Sequence, residues 1–340
     1  MWTLKKTGKQ LVLHGVEYAG LNRLVRHHTR RRLLGLCYHS VLSTECPAND
    51  ARLALAVTAL QFERQMQELQ RNWNPVSAEQ VRRSIEEGVP LPDRAVLVTF
   101  DDGYRNNLMV AAPILEKYQI PAIVFITTDL IGTGKLVWAT ELIDRLVSWK
   151  QSPFTLGGTE YILPPPDTPE RTRAVMDMVS TICSLFSQQE LKSFMERVWS
   201  ETTLDLSPAW KKELYECMNW NEVRQLHKRG IAIGAHTVSH PVLSKLESAE
   251  LEKELSESKK RIEQELGATI DTLAYPFGTP QDYSDAVVDK ARELGYHVAF
   301  VATGRRNPEM LDPMRIDRIF IVGALTFASF KALISGIRNS

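Results

Sequence analysis

Short apolar runs alternate with amphipathic stretches along most of this chain. Leu33-Leu34-Gly35-Leu36-Cys37-Tyr38-His39, Ala95 to Phe100, Ala122 to Ile126 and Ile231 to Gly234 have the length and composition of buried strands. So do Thr272 to Tyr275, Val298 to Ala302 and Ile319 to Val322. Between them, apolar residues recur at helical spacing. Ala59 to Trp73 puts Phe62, Met66 and Leu69 on one face, and helices are also predicted at Ser77–Glu86 and Asn107–Tyr118. Asn219 caps a helix running through Arg229, and Ala249 to Leu266 reads as a charged surface helix. This alternation predicts an α/β fold: a parallel sheet closed, or nearly closed, by helices.

The rhythm breaks twice. From about 132 to 217 the strands stop, and the sequence predicts a helical insertion: Trp138 to Trp149, then one or two helices in Pro169 to Trp199, then a short piece at Pro208 to Tyr215, with Pro164-Pro165-Pro166 as a rigid break. This insertion either hangs over the site face or pads the exterior. The first 32 residues form an atypical arm whose loosely helical stretch, Gln10 to Leu24, runs into Arg23, Arg26, His27, His28, Arg30, Arg31 and Arg32. A basic arm over 23–32 is either a solvated helix packed on the domain or a contact for an anionic membrane surface or acidic partner. The remaining residues, 33–340, then form one domain.

Composition fits an ordinary enzyme. The 340 residues are 44% hydrophobic and 24% charged, enough for one large domain with a full core. The formal net charge of +0 gives no argument for a nucleic-acid partner. Cys37, Cys46, Cys183 and Cys217 are scattered without a C-x-x-C, so reduced thiols are expected. No apolar run is long enough to span a bilayer, and Met1-Trp2-Thr3-Leu4-Lys5-Lys6 lacks the apolar core of a secretion signal. A cytoplasmic protein, at most peripheral to a membrane, is the expectation.

Two motifs carry chemistry. Val98-Thr99-Phe100-Asp101-Asp102-Gly103-Tyr104 places two adjacent carboxylates at the end of a core strand. They repel each other, so keeping both ionised there calls for a compensating cation, and a metal could supply it. His236-Thr237-Val238-Ser239-His240 follows another apolar run. Two imidazoles and a carboxylate suit zinc or a similar divalent ion, with positions left open for water and substrate. Alone, each motif has an ordinary structural explanation; together, each after a strand-like run, they point to one site.

Thr99-Phe100-Asp101-Asp102-Gly103-Tyr104 followed by His236-Thr237-x-x-His240 resembles the polysaccharide deacetylase family (the NodB-homology domain, or family 4 carbohydrate esterases), over roughly Leu33 to Val322. The resemblance implies a distorted (β/α) barrel, often of seven strands, with its site at the C-terminal strand ends, where barrel enzymes carry their chemistry. It implies Asp101 as general base and Asp102, His236 and His240 as metal ligands, the ion most simply Zn2+ with Ni2+, Co2+ or Fe2+ as alternatives. It also implies N-deacetylation of an amino sugar in a polysaccharide or a lipid-linked oligosaccharide. In that reaction Asp101 takes a proton from the attacking water, and the metal with a backbone N–H near Tyr104 faces the developing oxyanion.

The leaving amine needs a proton donor. No histidine follows His297, which reads as a structural residue where a strand enters the sheet, far from the site. His14, His227, His27 and His28 are equally poor candidates. His39 ends the first strand and can reach the same barrel mouth, and the ionised Asp101 nearby would favour its imidazolium form. Leu36-Cys37-Tyr38-His39-Ser40-Val41 resembles the Tyr-His opening of a circularly permuted subgroup, which includes deacetylases of poly-N-acetylglucosamine. Ala274-Tyr275-Pro276-Phe277-Gly278 matches the family's third motif in part, with Tyr275 where many relatives place the arginine that orients the base. Arg315 or Arg318 is then the candidate orienting cation. Tyr275 and Phe277 are candidate substrate contacts, Phe277 as a pocket wall or as core packing. Two other functions share these features: hydrolysis of a non-sugar C–N bond, and an inactive scaffold in polysaccharide assembly, against which the intact Asp101, Asp102, His236 and His240 argue.

Overall fold

The structure, a computed structural model, describes residues 31–336 apart from 45, 48 and 49. The basic arm therefore lies outside the described residues, except for the exposed Arg31 and Arg32.

Seven parallel strands form the centre. We number them β1 (Leu34–Tyr38), β2 (Ala95–Phe100), β3 (Ala122–Ile126), β4 (Ala232–Ala235), β5 (Thr272–Ala274), β6 (Val298–Val301) and β7 (Ile316–Phe320). Each pairs with its neighbour in sequence, and β1 pairs with both β2 and β7, which closes the barrel. A two-residue strand, Asn74–Pro75, adds to the outer edge of β2. The fold is thus a closed seven-stranded parallel (β/α) barrel, as the resemblance implied.

Helices cover the outside: α1 (Ala59–Asn72), α2 (Ala78–Glu86), α3 (Ala112–Tyr118), α4 (Trp138–Ser148), α5 (Pro169–Leu185), α6 (Gln188–Glu201), α7 (Ala209–Tyr215), α8 (Trp220–Lys228), α9 (Ser248–Leu266), α10 (Asp285–Glu293) and α11 (Phe327–Ser335). Side-chain alternation sorts the strands' residues into two layers. Leu34, Leu36, Tyr38, Val96, Val98 and Phe100 pack outward with Phe62 and Met66 of α1 in the main core. Leu33, Leu97, Ile123, Phe125, Ala274, Phe300 and Ile316 fill the barrel interior. Asn219 does cap α8, in a reciprocal capping box with Glu222.

The last strand departs from expectation. It starts at Ile316 rather than Ile319, because Asp317 and Arg318 lie within it. Their charges break the apolar run, yet Asp317 is paired with the loop at Thr303 and Arg318 with the barrel interior. His297 sits at the start of β6, largely exposed and paired with Glu86. It is a surface residue far from the C-terminal ends, not one accommodated in the core.

The insertion has a core of its own. Leu142, Leu146, Trp149, Phe154, Val175, Ile182, Phe194 and Val198 form a separate cluster, which also takes in Val242 next to the site. It contains a hairpin, Phe154–Leu156 with Thr159–Tyr161, that helical periodicity did not predict. Ser187 caps α6 and ends the preceding helix, so Pro169 to Trp199 is two helices.

Candidate active site

The parity that fills the barrel also aims the site. On β1, β2 and β7 the inward positions continue to His39, Asp101 and Phe320 at the C-terminal mouth. The turns after β2 and β4 then add Asp102 and the His236–His240 loop. These residues line one cavity of about 520 Å³, with Leu55, Val137, Ala139, Thr140, Phe277, Thr279, Gln281 and Asp282. Val137, Ala139 and Thr140 come from the start of α4, so the insertion overhangs the site.

Asp102, His236 and His240 offer ligand atoms within 4.8 Å of one another, all buried. Asp102 Oδ1 lies 3.5 Å from His236 Nε2 and 3.4 Å from His240 Nε2. His236 Nδ1 is 2.7 Å from the Ala274 carbonyl, which fixes that nitrogen as the donor and leaves Nε2 as a lone pair facing Asp102. Asp102 Oδ1 is buried without a hydrogen-bond partner. A buried carboxylate oxygen left unpaired between two imidazole nitrogens costs free energy unless a cation sits there, so this donor set fits a divalent ion. Burial would raise Asp102, but His236, His240 and His39 hold it far below the ordinary carboxylate range. Burial pulls His240 down to about 4. Burial also acts downward on His236, but the charge of Asp101 and the Asp102 carboxylate beside it outweigh it and raise its pKa.

The backbone is strained where the ligands sit. Asp102, Thr237, His240 and Phe277 all have positive φ, at 75°, 68°, 62° and 61°, conformations that non-glycine residues adopt only under constraint. Gly103, at φ 85°, must be glycine for a second reason: a Cβ there would approach Ile126 at 3.0 Å. Glu254 on α9 accepts from the Val238 and Ser239 amides at 2.8 and 2.9 Å and from the Ser239 hydroxyl at 2.6 Å, clamping the loop between the two histidines. Sequence reasoning missed Glu254, because it lies 14 residues beyond His240 on a helix rich in charged residues, with no local pattern to single it out.

Asp101 is held by Arg318. The guanidinium donates from Nη1 to Oδ1 at 2.6 Å and from Nη2 to Oδ2 at 2.8 Å, and also to Thr99 Oγ1 and the Val301 carbonyl. Arg318 is 0% exposed and lies over the rings of Phe125 and Phe300. Gly35 makes room for it, since a Cβ there would meet Asp317 O at 2.6 Å and Arg318 Cγ at 3.0 Å. Cys37 Sγ also points at Asp101 Oδ2, 3.3 Å away. Burial acts to raise Asp101, but Arg318 and His236 keep its pKa below normal. Arg315 is a correction: it precedes β7 at the opposite end of the barrel and pairs with Asp312 and Asp285.

His39 lines the cavity and stacks on Phe320, with ring centroids 5.5 Å apart. Its carbonyl accepts from Asn107 Nδ2 at 2.7 Å, and Asn106 accepts the Val41 amide, so two asparagines hold the end of the first strand. The expected imidazolium is a second correction. Burial lowers the His39 pKa more than Asp102 and Asp101 raise it. Tyr275 is a third. Its inward neighbour Ala274 belongs to the barrel interior, so Tyr275 faces outward, stacked on Tyr283 and away from the cavity. Phe277 does line the cavity, edge-on to His240 and Trp138. Tyr104 is buried beside the site with Leu130 and Val137 but does not line the cavity.

Fold and site together define a closed (β/α) barrel with an arginine-held carboxylate, a histidine and a metal-type cluster at its mouth. The polysaccharide deacetylase profile matches residues 88–157 and 178–299, more than half of the chain, and the chain belongs to that family. Over 84 residues it is 37% identical to the poly-beta-1,6-N-acetyl-D-glucosamine N-deacetylase of Escherichia coli (strain K12), a stretch covering 23% of this chain and only 12% of that protein. The Streptococcus pyogenes deacetylase PplD, solved in complex with acetate, aligns with a TM-score of 0.59 over 89% of this chain and 98% of that one, at 18% identity. IcaB from Ammonifex degensii aligns with a TM-score of 0.56 over 90% and 97%, at 17% identity. At such identities these two structures speak for the fold alone.

Proposed function

We propose that this protein is a divalent-metal-dependent hydrolase that removes the N-acetyl group from an amino sugar within a polysaccharide or lipid-linked oligosaccharide. The observation that carries this is a carboxylate, Asp101, gripped at both oxygens by the buried Arg318 and set directly beside the Asp102–His236–His240 cluster at the mouth of one cavity. Asp102, His236 and His240 would hold the ion, most simply Zn2+, which when bound supplies Lewis-acid polarisation. Asp101, ionised and aimed by Arg318, accepts the proton of the attacking water. His39, whose pKa burial lowers, takes up the proton that Asp101 removed from the water and gives it to the leaving amine, so that one water proton ends on the amine and Asp101 returns to its ionised form. The named E. coli relative supports an N-acetylglucosamine polymer as substrate. The Tyr38-His39 end of the first strand, opening on the cavity, supports membership of the permuted subgroup.

The test is acetate release from an N-acetylglucosamine oligomer by purified protein, with metal content measured in parallel. Asp101→Asn is expected to abolish turnover while the metal stays bound, and His236→Ala to lose the metal. Undiminished turnover by Asp101→Asn would overturn the assignment.

A further inference from the structure

Part of the cavity's lining comes from a short loop, Thr279 to Asp282, that neither the metal cluster nor the Asp101–Arg318 pair uses. Asp282 is 4% exposed and yet lines the cavity. Its Oδ2 accepts from the Thr279 amide at 2.9 Å and from the Thr279 hydroxyl at 2.5 Å. The loop is closed by the Asp282 amide donating to the Thr279 carbonyl at 2.9 Å, and anchored by Ser244 donating to the carbonyls of Asp282 and Gln281. Its other oxygen, Oδ1, makes no hydrogen bond or ion pair among the described residues. Burial raises the Asp282 pKa, against the bonds from Thr279 and the charge of Lys245. A buried carboxylate is costly unless donors reach it, and here Asp282 lines a cavity that a ligand would fill.

The rest of the lining narrows the chemistry. Leu55, Val137, Ala139, Phe277 and Phe320 give apolar walls, and Thr140 and Gln281 add neutral polar groups. Phe277 is held in place by a positive φ and by edge contacts with His240 and Trp138. An aromatic face beside a fixed carboxylate acceptor suits a molecule with an apolar C–H face and hydroxyl donors at its edge. A pyranose ring has both.

We infer that Asp282 is a specificity-determining residue: with Phe277 against the ring's apolar face, its Oδ1 accepts a hydrogen bond from a sugar hydroxyl and so selects a carbohydrate over other acetylated compounds. The inference rests on the deacetylase reading for the bond that is cut, but not for the binding itself. A site built to satisfy a substrate hydroxyl discriminates strongly against a ligand without one, because the buried acceptor is then left unpaired.

The experiment compares the metal-loaded wild type with Asp282→Ala and Asp282→Asn. Asn keeps the size and the Thr279 bonds but can turn its amide N–H₂ toward the cavity, replacing an acceptor with a donor. Two readouts are used: calorimetric binding of an N-acetylglucosamine oligomer, and acetate release from that oligomer and from 4-nitrophenyl acetate, which has the acyl group without a sugar. Both variants are expected to bind the oligomer about tenfold more weakly. The ratio of kcat/KM for oligomer over aryl ester is expected to fall by about the same factor, chiefly through KM. Equal losses on both substrates would mean a merely structural role and overturn the inference, as would oligomer affinity unchanged from wild type or no oligomer binding by the wild type at all. A wild type that binds the oligomer in an Asp282-dependent way yet releases no acetate would overturn the deacetylase reading and leave this inference standing.

Discussion

Arg318 is a cation with no solvent exposure, tolerable because four acceptors and two aromatic faces surround it. Its grip on Asp101 is two-pronged, and lysine cannot reproduce that fork. Arg318→Lys should therefore lower kcat by about 10²-fold through misplacement of the base while leaving the metal content of the purified protein intact; loss of metal in step with activity would contradict it. Gly35→Ala attacks the same pair from below. The added Cβ should cost about 1–3 kcal/mol of stability by overpacking, read as a lower denaturation midpoint together with a lower kcat. Protons should compete with the metal in a graded way. The raised His236 takes up a proton first as pH falls in the metal-free site, whereas His240, depressed to about 4, stays a free lone pair. Below the pKa of His236 each bound ion must displace one proton, so affinity should weaken roughly tenfold per pH unit. A zinc titration from pH 8 to pH 5 with a slope of two protons would refute this.

At the scale of elements, the loop between the two histidines is set by a helix that touches no ligand. α9 brings Glu254 to two amides and a hydroxyl of that loop, and Thr237 and His240 hold positive φ under that clamp. Glu254→Gln keeps the side chain's size but removes the charge that strengthens all three bonds. It should weaken zinc affinity by about 10- to 100-fold, as outer-shell losses do, with little change in the thermal unfolding of the metal-free protein. The motif residues were legible along the chain because each follows an apolar run. Their supports were not. Glu254 on a charged helix, Asn106 and Asn107 behind the first strand, and the hairpin of the insertion carry no local pattern that ties them to a site. Tyr275 and Arg318 are different: a two-residue period read from Ala274 and from Ile316 puts the tyrosine outside the barrel and the arginine inside it. The charges of Asp317 and Arg318 made that strand look as if it began three residues later, at Ile319 rather than Ile316.

For the whole molecule, closure of the barrel is what brings the parts together. β1 pairs with β2 on one side and β7 on the other, so His39, Asp101 and Arg318, which lie far apart in sequence, meet in adjacent strands. Asp102 follows β2 and the histidines follow β4, so an ion held by all three would tie together two strands that flank β3. A ligand that binds only the folded state stabilises it by mass action, about 2.7 kcal/mol at a hundredfold excess over Kd. Chelator treatment should lower the melting temperature and added zinc should restore it; an unchanged melt would argue against the Asp102–His236–His240 centre. Among the described residues no helix is long and apolar enough to cross a membrane.

The chain by itself determined the alternation of strands and helices, the place of the insertion, and the acid–metal motifs, because periodicity and apolar runs are local properties that burial imposes on consecutive residues. Tertiary structure alone decided that Arg318 reaches both oxygens of Asp101, that burial lowers the His39 pKa, and that Asp282 lines the cavity. Those are matters of distance and of desolvation, and both are set by residues remote in sequence that only a closed barrel places side by side.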